Sequence, residues 1–343
     1  MELSERKLAV LKAIVKAYIE TGEPVGSKIL VGLMENAPSS ATLRNEMSEL
    51  CEMGLLEQPH ISAGRVPTTD AYRLYVASLM KKQELLDSTK NYIDSLLQGA
   101  VGDPERLQST AAQILSQLTG LTAFCYSEID AQVRLKQIEI VKISRHTVML
   151  FMITSDGRTR NSVCRIDIPF TAEDYEKLSE VFKARLYRKP LIELNKAYLQ
   201  NVIASSVFDS FHLVPIFTSV LEMAVDASEC RVHIGGQSGI YNIFSEEKSR
   251  RLLAFISNPQ PLSSLYDGES SHTQVIFGND TFYNDLKDTT VIISKYGDSD
   301  GFEGRIGIIG VDRMSYEQII PSIQYMASRL TYMMKEFKKD MED

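Results

Sequence analysis

Tryptophan is missing from this sequence, and cysteine, histidine and positive charge are all scarce. The first absence removes intrinsic tryptophan fluorescence as a probe of folding or binding. The four cysteines, Cys51, Cys125, Cys164 and Cys230, stand tens of residues apart and lack the close pairs of zinc ribbons and redox motifs. They read as reduced, buried thiols acting as small hydrophobes. The five histidines, His60, His146, His212, His233 and His272, are equally dispersed, so neither a metal nor a cofactor is expected. No apolar run approaches the roughly 18 residues that span a bilayer. The start, Met1 to Lys7, has no apolar core followed by a small-residue cleavage site. A cytoplasmic protein without membrane contact is expected.

Enzyme signatures are missing too. There is no G-x-x-x-x-G-K-[ST] phosphate loop, no H-E-x-x-H helix and no G-x-G-x-x-G turn. Gly235-Gly236-Gln237-Ser238-Gly239 lacks the residue that a nucleophile elbow needs between its serine and last glycine, and reads as a turn. Carboxylate pairs such as Glu246-Glu247 sit where a helix starts and its dipole favours them. A non-enzymatic role follows. At 343 residues the chain exceeds one economical core and suits two or three domains. The formal charge is −8, yet residues 1–82 hold ten Lys or Arg against ten Asp or Glu, so that end is neutral and the remainder carries the acid. Nucleic-acid binding by such a chain has little non-specific pull and relies on a few placed contacts in each of two subunits.

The N-terminal end offers such contacts. From Ser4 to Thr21, Leu8, Leu11, Val15 and Tyr18 recur at helical spacing until Gly22. Pro24-Val25-Gly26 is a turn, and Ser27 to Asn36 allows a second short helix with Ile29, Leu30 and Leu33 inward. Ala37-Pro38 interrupts it, because a residue before proline is pushed out of the α region. Ser39 or Ser40 then caps a third helix in which Leu43, Met47 and Leu50 form the inner stripe, and Gly54 suits a left-handed C-terminal cap. Its outer face carries Thr42, Arg44, Asn45, Ser48 and Glu49. Arginine pairs bidentately with guanine and asparagine with adenine, so this face suits a major groove. Leu55 to Val66 follows as a small hairpin turning at Ser62-Ala63-Gly64, with Arg65 leaving the turn free to meet phosphates or a narrow minor groove. Together these segments read as a winged helix-turn-helix. Its candidate DNA contacts are Ser40, Thr42, Arg44, Asn45, Ser48, His60 and Arg65, with His60 equally readable as a surface loop residue.

Beyond it, a long helical segment is expected from Thr69 to about Gln98, with Leu85, Leu86, Thr89, Tyr92, Ile93, Leu96 and Leu97 at threes and fours. Asp103-Pro104-Glu105 starts another helix, ending at Gly120. Thr122 to Ile168 alternates as four strands, the middle two at hairpin spacing. Helical periods run from Thr171, capped with Asp174, to Ala227. Cys230 to Gly235 is strand-like, Ser245 starts a helix, and strands return at Thr273–Phe277, Thr289–Tyr296 and Gly304–Val311. The last segment starts at Ser315 and Gln318, with a kink expected at Pro321. Its apolar stripe fits either a sheet-packing helix or an oligomer seam. A mixed domain interrupted by a helical insert and two sequential α+β domains both fit this order.

Several runs carry a family resemblance: Tyr18-Ile-Glu-Thr-Gly-Glu-Pro-Val-Gly-Ser27, Ala41-Thr-Leu-Arg-Asn45, Glu52-Met-Gly-Leu-Leu-Glu-Gln-Pro-His60, Ser62-Ala-Gly-Arg-Val-Pro-Thr68 and Tyr72-Arg-Leu-Tyr75. Near the far end, Gly307-Ile-Ile-Gly310, Arg313-Met314 and Ile319-Ile-Pro321 extend it over the whole length. The sequence closely resembles the bacterial heat-inducible transcription repressor HrcA family. The resemblance implies a multidomain α+β fold: a winged helix-turn-helix over 1–82, a helical connector over 83–102, and a GAF-like domain in two segments, 103–168 and 246–343. An inserted, mainly helical dimerisation domain would occupy 169–245. It also implies a homodimer on a double-stranded inverted-repeat operator of the CIRCE type, upstream of chaperone operons, and a GroEL-type chaperonin that maintains the active state. The alternative is a regulator responding to a small effector bound in the GAF-like domain.

Overall fold

The computed structural model describes residues 3–35, 37–61, 63–80, 83–128, 132–206, 210–266, 273–298 and 302–342. Asn36, Ser62 and His272, and the side chain of His212, lie outside the described residues. Helix α1 (Glu5–Thr21) is capped by the Ser4 hydroxyl and closed by Gly22 in the left-handed region, at φ 73°. Its apolar face, Val10, Leu11, Ile14 and Val15, packs with α2 (Ser27–Leu33) and α3 (Ser40–Glu52). Leu11, Leu30, Leu43 and Leu50 are wholly buried there, each stabilising the bundle by about 1.5–3 kcal/mol. Strands β1 (Leu56–Glu57) and β2 (Val66–Pro67) pair antiparallel, Leu56 opposite Pro67 and Glu57 opposite Val66. One expectation fails in α2. Only Ser27 and Leu30 turn inward, while Ile29 and Leu33 stay 57% and 53% exposed. A helix of two turns buries only one narrow i, i+3 stripe against α1 and α3.

The long helix expected to Gln98 is broken. Helix α4 (Thr69–Leu74) runs into a π-helical turn, Tyr75–Leu79, then Met80 is extended at ψ 136° and α5 (Asp87–Gln98) starts afresh. Leu85 and Leu86 lie outside any helix. Wide π turns are strained and short, so the chain leaves helical geometry there. Helix α5 buries Ile93 and Leu97 in the main core.

The remaining elements follow in order: α6 (Pro104–Thr119), β3 (Thr122–Ser127), β4 (Leu135–Ser144), β5 (Thr147–Thr154), β6 (Thr159–Arg165), α7 (Ala172–Arg185), α8 (Lys196–Ala204) and α9 (Ser210–Ala227). Then come β7 (His233–Gly235), α10 (Ser238–Ile243), α11 (Glu246–Ile256), α12 (Pro259–Leu265), β8 (Gln274–Phe277), β9 (Thr290–Asp298), β10 (Phe302–Gly310) and α13 (Tyr316–Glu342). They form two units. The larger, the body, is an antiparallel five-stranded sheet in the order β7-β3-β10-β9-β8. Alternate residues of each strand face opposite sides. Ala123, Cys125, Ile292, Ile306 and Ile308 share a core with α5, α6 and α13, whereas Phe124, Tyr126, Val291, Ile293 and Ile309 pack with α10, α11 and α12. Helix α13 continues through Pro321.

The smaller unit is the sheet β4-β5-β6 with α7, α8 and α9 on one face, closed by Leu135, Val148, Leu150, Met152, Phe182, Ile216 and Phe217. This corrects how strands were grouped with helices. The expected boundaries at 168 and 245 place these three strands with the mixed domain and β7 with the helical insert. Instead β4 to β6 share the helices' core, and β7 pairs with β3, Gly235 opposite Ala123. Alternation marks a strand but not its partner, and β3 meets its neighbours only through long-range pairing. No helix among the described residues is long and apolar enough to cross a membrane.

Candidate nucleic-acid interface

Helix α3 begins where the Ser39 hydroxyl accepts from the Thr42 amide at 3.1 Å. Burying Leu43, Met47 and Leu50 turns Ala41, Arg44, Asn45 and Glu52 to solvent, with Ser48 half-buried beside them. Arg44 and Asn45 have no hydrogen-bond or ion-pair partner among the described residues, so both can reach a ligand without breaking a contact. Thr42 is half-buried with its hydroxyl 3.0 Å from that of Ser39. Ser40 turns aside, its Oγ 2.9 Å from Ser27 Oγ, tying α3 to α2. The acids of α3 are largely compensated from α1. Lys7 lies 2.7 Å from Glu49 and 3.7 Å from Glu46, and Arg6 lies 3.7 Å from Glu46. The hydrogen bond to Glu49 raises the Lys7 pKa.

The β1–β2 segment is locked to the turn between α1 and α2. Val25 and Arg65 exchange two backbone hydrogen bonds of 2.9 Å, and a Cβ on Gly64 would lie 2.5 Å from the Val25 carbonyl carbon. Only glycine permits that approach, which joins the Pro24-Val25-Gly26 and Ala63-Gly64-Arg65 segments in space. Gln58 Nε2 donates to the carbonyls of Ile61 and Ala63 at 2.9 and 3.0 Å, bracing the tip. His60 and Ile61 are exposed there, Ile61 at 100%.

Arg65 departs from expectation. It is half-buried, and its Nε donates to Cys51 Sγ at 3.1 Å, so the guanidinium folds back on the end of α3 rather than standing free. The strand pairing that anchors its backbone directs its side chain inward. Pattern alone did not single out four further exposed residues of these elements: Ala41 on the outer face of α3, Lys28 on α2, and Gln58 and Ile61 between β1 and β2. A small residue in the first turn of α3 is a usable signal for Ala41. No sequence signal marked the double hydrogen bond of Gln58.

Elsewhere, a 490 Å³ cleft in the smaller unit is walled by Val133, Leu191, Leu194, Leu221 and Ala224, with Arg158 at its edge, 2.5 Å from Asp156. No group of His, Cys, Asp and Glu among the described residues could hold a metal ion. Two cysteines are buried, and the other two, Cys51 and Cys230, only half-buried, the Cys230 thiol donating to the Ser127 carbonyl at 2.9 Å. Burial pushes the Cys230 thiol up to about 11, away from reactive thiolate.

Known proteins place this architecture. The family model described as HrcA protein C terminal domain matches residues 105–320. The heat-inducible transcription repressor HrcA of Brevibacillus brevis is 32% identical, the match covering 98% of this chain and 100% of that one. The protein of the same description from Lachnoclostridium phytofermentans is 31% identical over 99% of both chains, and that of Clostridium tetani 29% over 98% and 97%. A crystal structure described as that of a hypothetical protein superposes with a TM-score of 0.76 at 20% identity, covering 98% of this chain and all of the other. That likeness speaks for the fold alone.

Proposed function

The chain belongs to the HrcA family of heat-inducible transcription repressors, and from that premise we propose how it reads its operator and how it is kept active. It is a repressor of heat-shock genes and not an enzyme. Residues 3–80 act as a winged helix-turn-helix with α3 in the major groove. Arg44 and Asn45 read base edges, Ala41 lies against a base or methyl, and Ser48 supports them. Thr42 and Ser40 frame the helix. Lys28 meets the phosphate backbone, and His60 and Ile61 carry the wing to the adjacent minor groove. Arg65 acts by holding the wing's shape through Cys51. The observation that carries this reading is the solvent-facing, unpartnered pair Arg44 and Asn45, set beside a braced wing.

A single head with balanced charge binds weakly, so two heads act together on an inverted repeat of the CIRCE type. The smaller unit, spanning 132–229, is the dimerisation insert. The body, from 103–128 and 230–342, is the GAF-like domain. A GroEL-type chaperonin maintains the folded dimer, and repression lapses when unfolded protein occupies it. The test is operator binding by freshly refolded repressor with and without ATP-charged chaperonin. The bound fraction rises with chaperonin and falls again when an unfolded competitor is added. Equal binding in all three mixtures removes the chaperonin from the account.

One observation favours an effector-responsive second reading. The Tyr126 hydroxyl and Arg305 Nε, on residues paired across β3 and β10, are buried without hydrogen-bond partners among the described residues. Unmet buried polar atoms accept a ligand or an ordered water. A thermal-shift screen of small carboxylates decides: this reading needs a compound that raises the melting temperature and changes operator affinity together, and a screen without one ends it.

A further inference from the structure

The head, α1 to α4 with its wing, meets the body through a compact set of polar contacts that DNA reading does not use. They centre on two carboxylates, Asp312 in the segment joining β10 to α13 and Glu317 in the first turn of α13. Asp312 accepts from the Thr69 hydroxyl of the head at 2.8 Å and from the Thr290 hydroxyl of the sheet at 2.6 Å, one on each oxygen. Glu317 accepts from the Tyr75 hydroxyl at 2.8 Å and from Gln83 Nε2 at 3.0 Å, with Lys16 of α1 3.8 Å away. Arg73 of the head pairs with Asp280 at 2.5 Å and lies over the Phe277 ring at 5.6 Å. Between these, Tyr72 and Tyr316 pack at a ring-centroid distance of 6.2 Å. Tyr72 and Tyr75 are both buried, so the core runs from head to body without a break.

Covalently the head hangs on one connection. Its last helical turn ends at Leu79 and α5 starts only at Asp87. The side-chain contacts above, rather than a continuous helix, join the head to the body. With them closed, Ala41, Arg44, Asn45 and Ile61 remain exposed, so the contacts orient the reading surface and do not cover it.

We propose that Asp312 and Glu317 are positioning residues that latch the head at one angle on the body and so select the spacing between operator half-sites. This rests on the reading of the protein as a dimer on an inverted repeat. A second head helps only if it arrives in register with its half-site, and rigid orientation makes that condition strict. Thr69 and Tyr75 supply the head's half of the latch; Thr69 is half-buried and Tyr75 buried, whereas Arg44 and Asn45 are exposed.

The test is a set of inverted repeats whose central spacer is changed in single base pairs up to a half-turn, about 5 base pairs. Affinity of the full-length wild type falls by about 100-fold between its preferred spacing and the half-turn change, the scale of lost avidity. In Thr69→Ala/Tyr75→Phe, which removes both hydroxyls, the drop shrinks below about tenfold while discrimination among half-site bases is unchanged. Glu317→Gln keeps an acceptor oxygen for Tyr75 and gives an intermediate drop, which serves if the double variant folds poorly. A double variant or Glu317→Gln as spacing-selective as the wild type overturns the latch alone. A wild type that binds isolated half-sites as tightly as any paired repeat overturns the dimeric reading beneath it.

Discussion

Arg44→Ala will weaken operator binding by about 1–3 kcal/mol per half-site and relax base preference at one position of each. The expectation follows from where α3 places this side chain. It is exposed on the outer face and has no partner among the described residues, so its removal leaves no buried group unsatisfied. Thermal stability should stay within about 0.5 kcal/mol of wild type, the usual range for a surface change. Competition gel shifts against operators altered one base pair at a time provide the measurement. Uniform weakening across all of them, with a shallower salt dependence, would make Arg44 a phosphate contact instead. Arg65→Ala gives the useful contrast. That side chain leans on Cys51, so its loss should loosen the wing and lower stability as well as affinity.

Glu105→Ala has the largest expected effect on stability, a loss of about 3 kcal/mol. Arg160 on β6 is 7% exposed and donates two hydrogen bonds to the Glu105 carboxylate of α6, Nη2 to Oε1 at 2.7 Å and Nη1 to Oε2 at 3.0 Å. Asp226 of α9 approaches Nε at 2.5 Å, though without hydrogen-bond alignment. Glu105 belongs to the body, while Arg160 and Asp226 belong to the smaller unit, so this ion pair spans the junction between them. Removing Glu105 strands a buried guanidinium on one remaining carboxylate. Because Asp226 stays, the loss sits at the lower end of the range for broken buried pairs. Arg160→Met removes the charge together with its desolvation cost and should be the milder change. Calorimetric unfolding of both variants decides. A Glu105→Ala change below about 0.5 kcal/mol would mean that water solvates Arg160 at the junction after all.

Local chemistry was legible in the sequence, and long-range pairing was not. The cap at Ser39, the stripe Leu43, Met47 and Leu50, the Asp103-Pro104 start and the reciprocal Thr171 and Asp174 cap all depend on residues within a turn or two of each other. Gly54 and Gly120 adopt left-handed conformations where the chain must leave a helix, at φ 74° and 70°. The strands from β3 to β6 were visible as strands. That β3 deserts β4 for β10 depends on residues almost two hundred positions away. The same blindness misplaced β7. Helix α2 erred for another reason: three apolar residues in two turns do not say which of them meets the neighbour. At the interface, the exposed face of α3 could be read from periodicity. The inward turn of Arg65 could not, since it depends on the bridge between Val25 and Arg65 and on a thiol fourteen residues away. The latch at Asp312 and Glu317 joins residues more than two hundred and forty positions apart, and only tertiary structure brings them together.

The most direct measurement for the whole account is footprinting of the full-length protein on a promoter fragment carrying an inverted repeat, with each half-site mutated in turn. The account predicts protection of both half-sites together, lost from both when either is altered and lost likewise when Arg44 and Asn45 are replaced by alanine. Protection that survives the double substitution, or that covers DNA without an inverted repeat equally well, would contradict it.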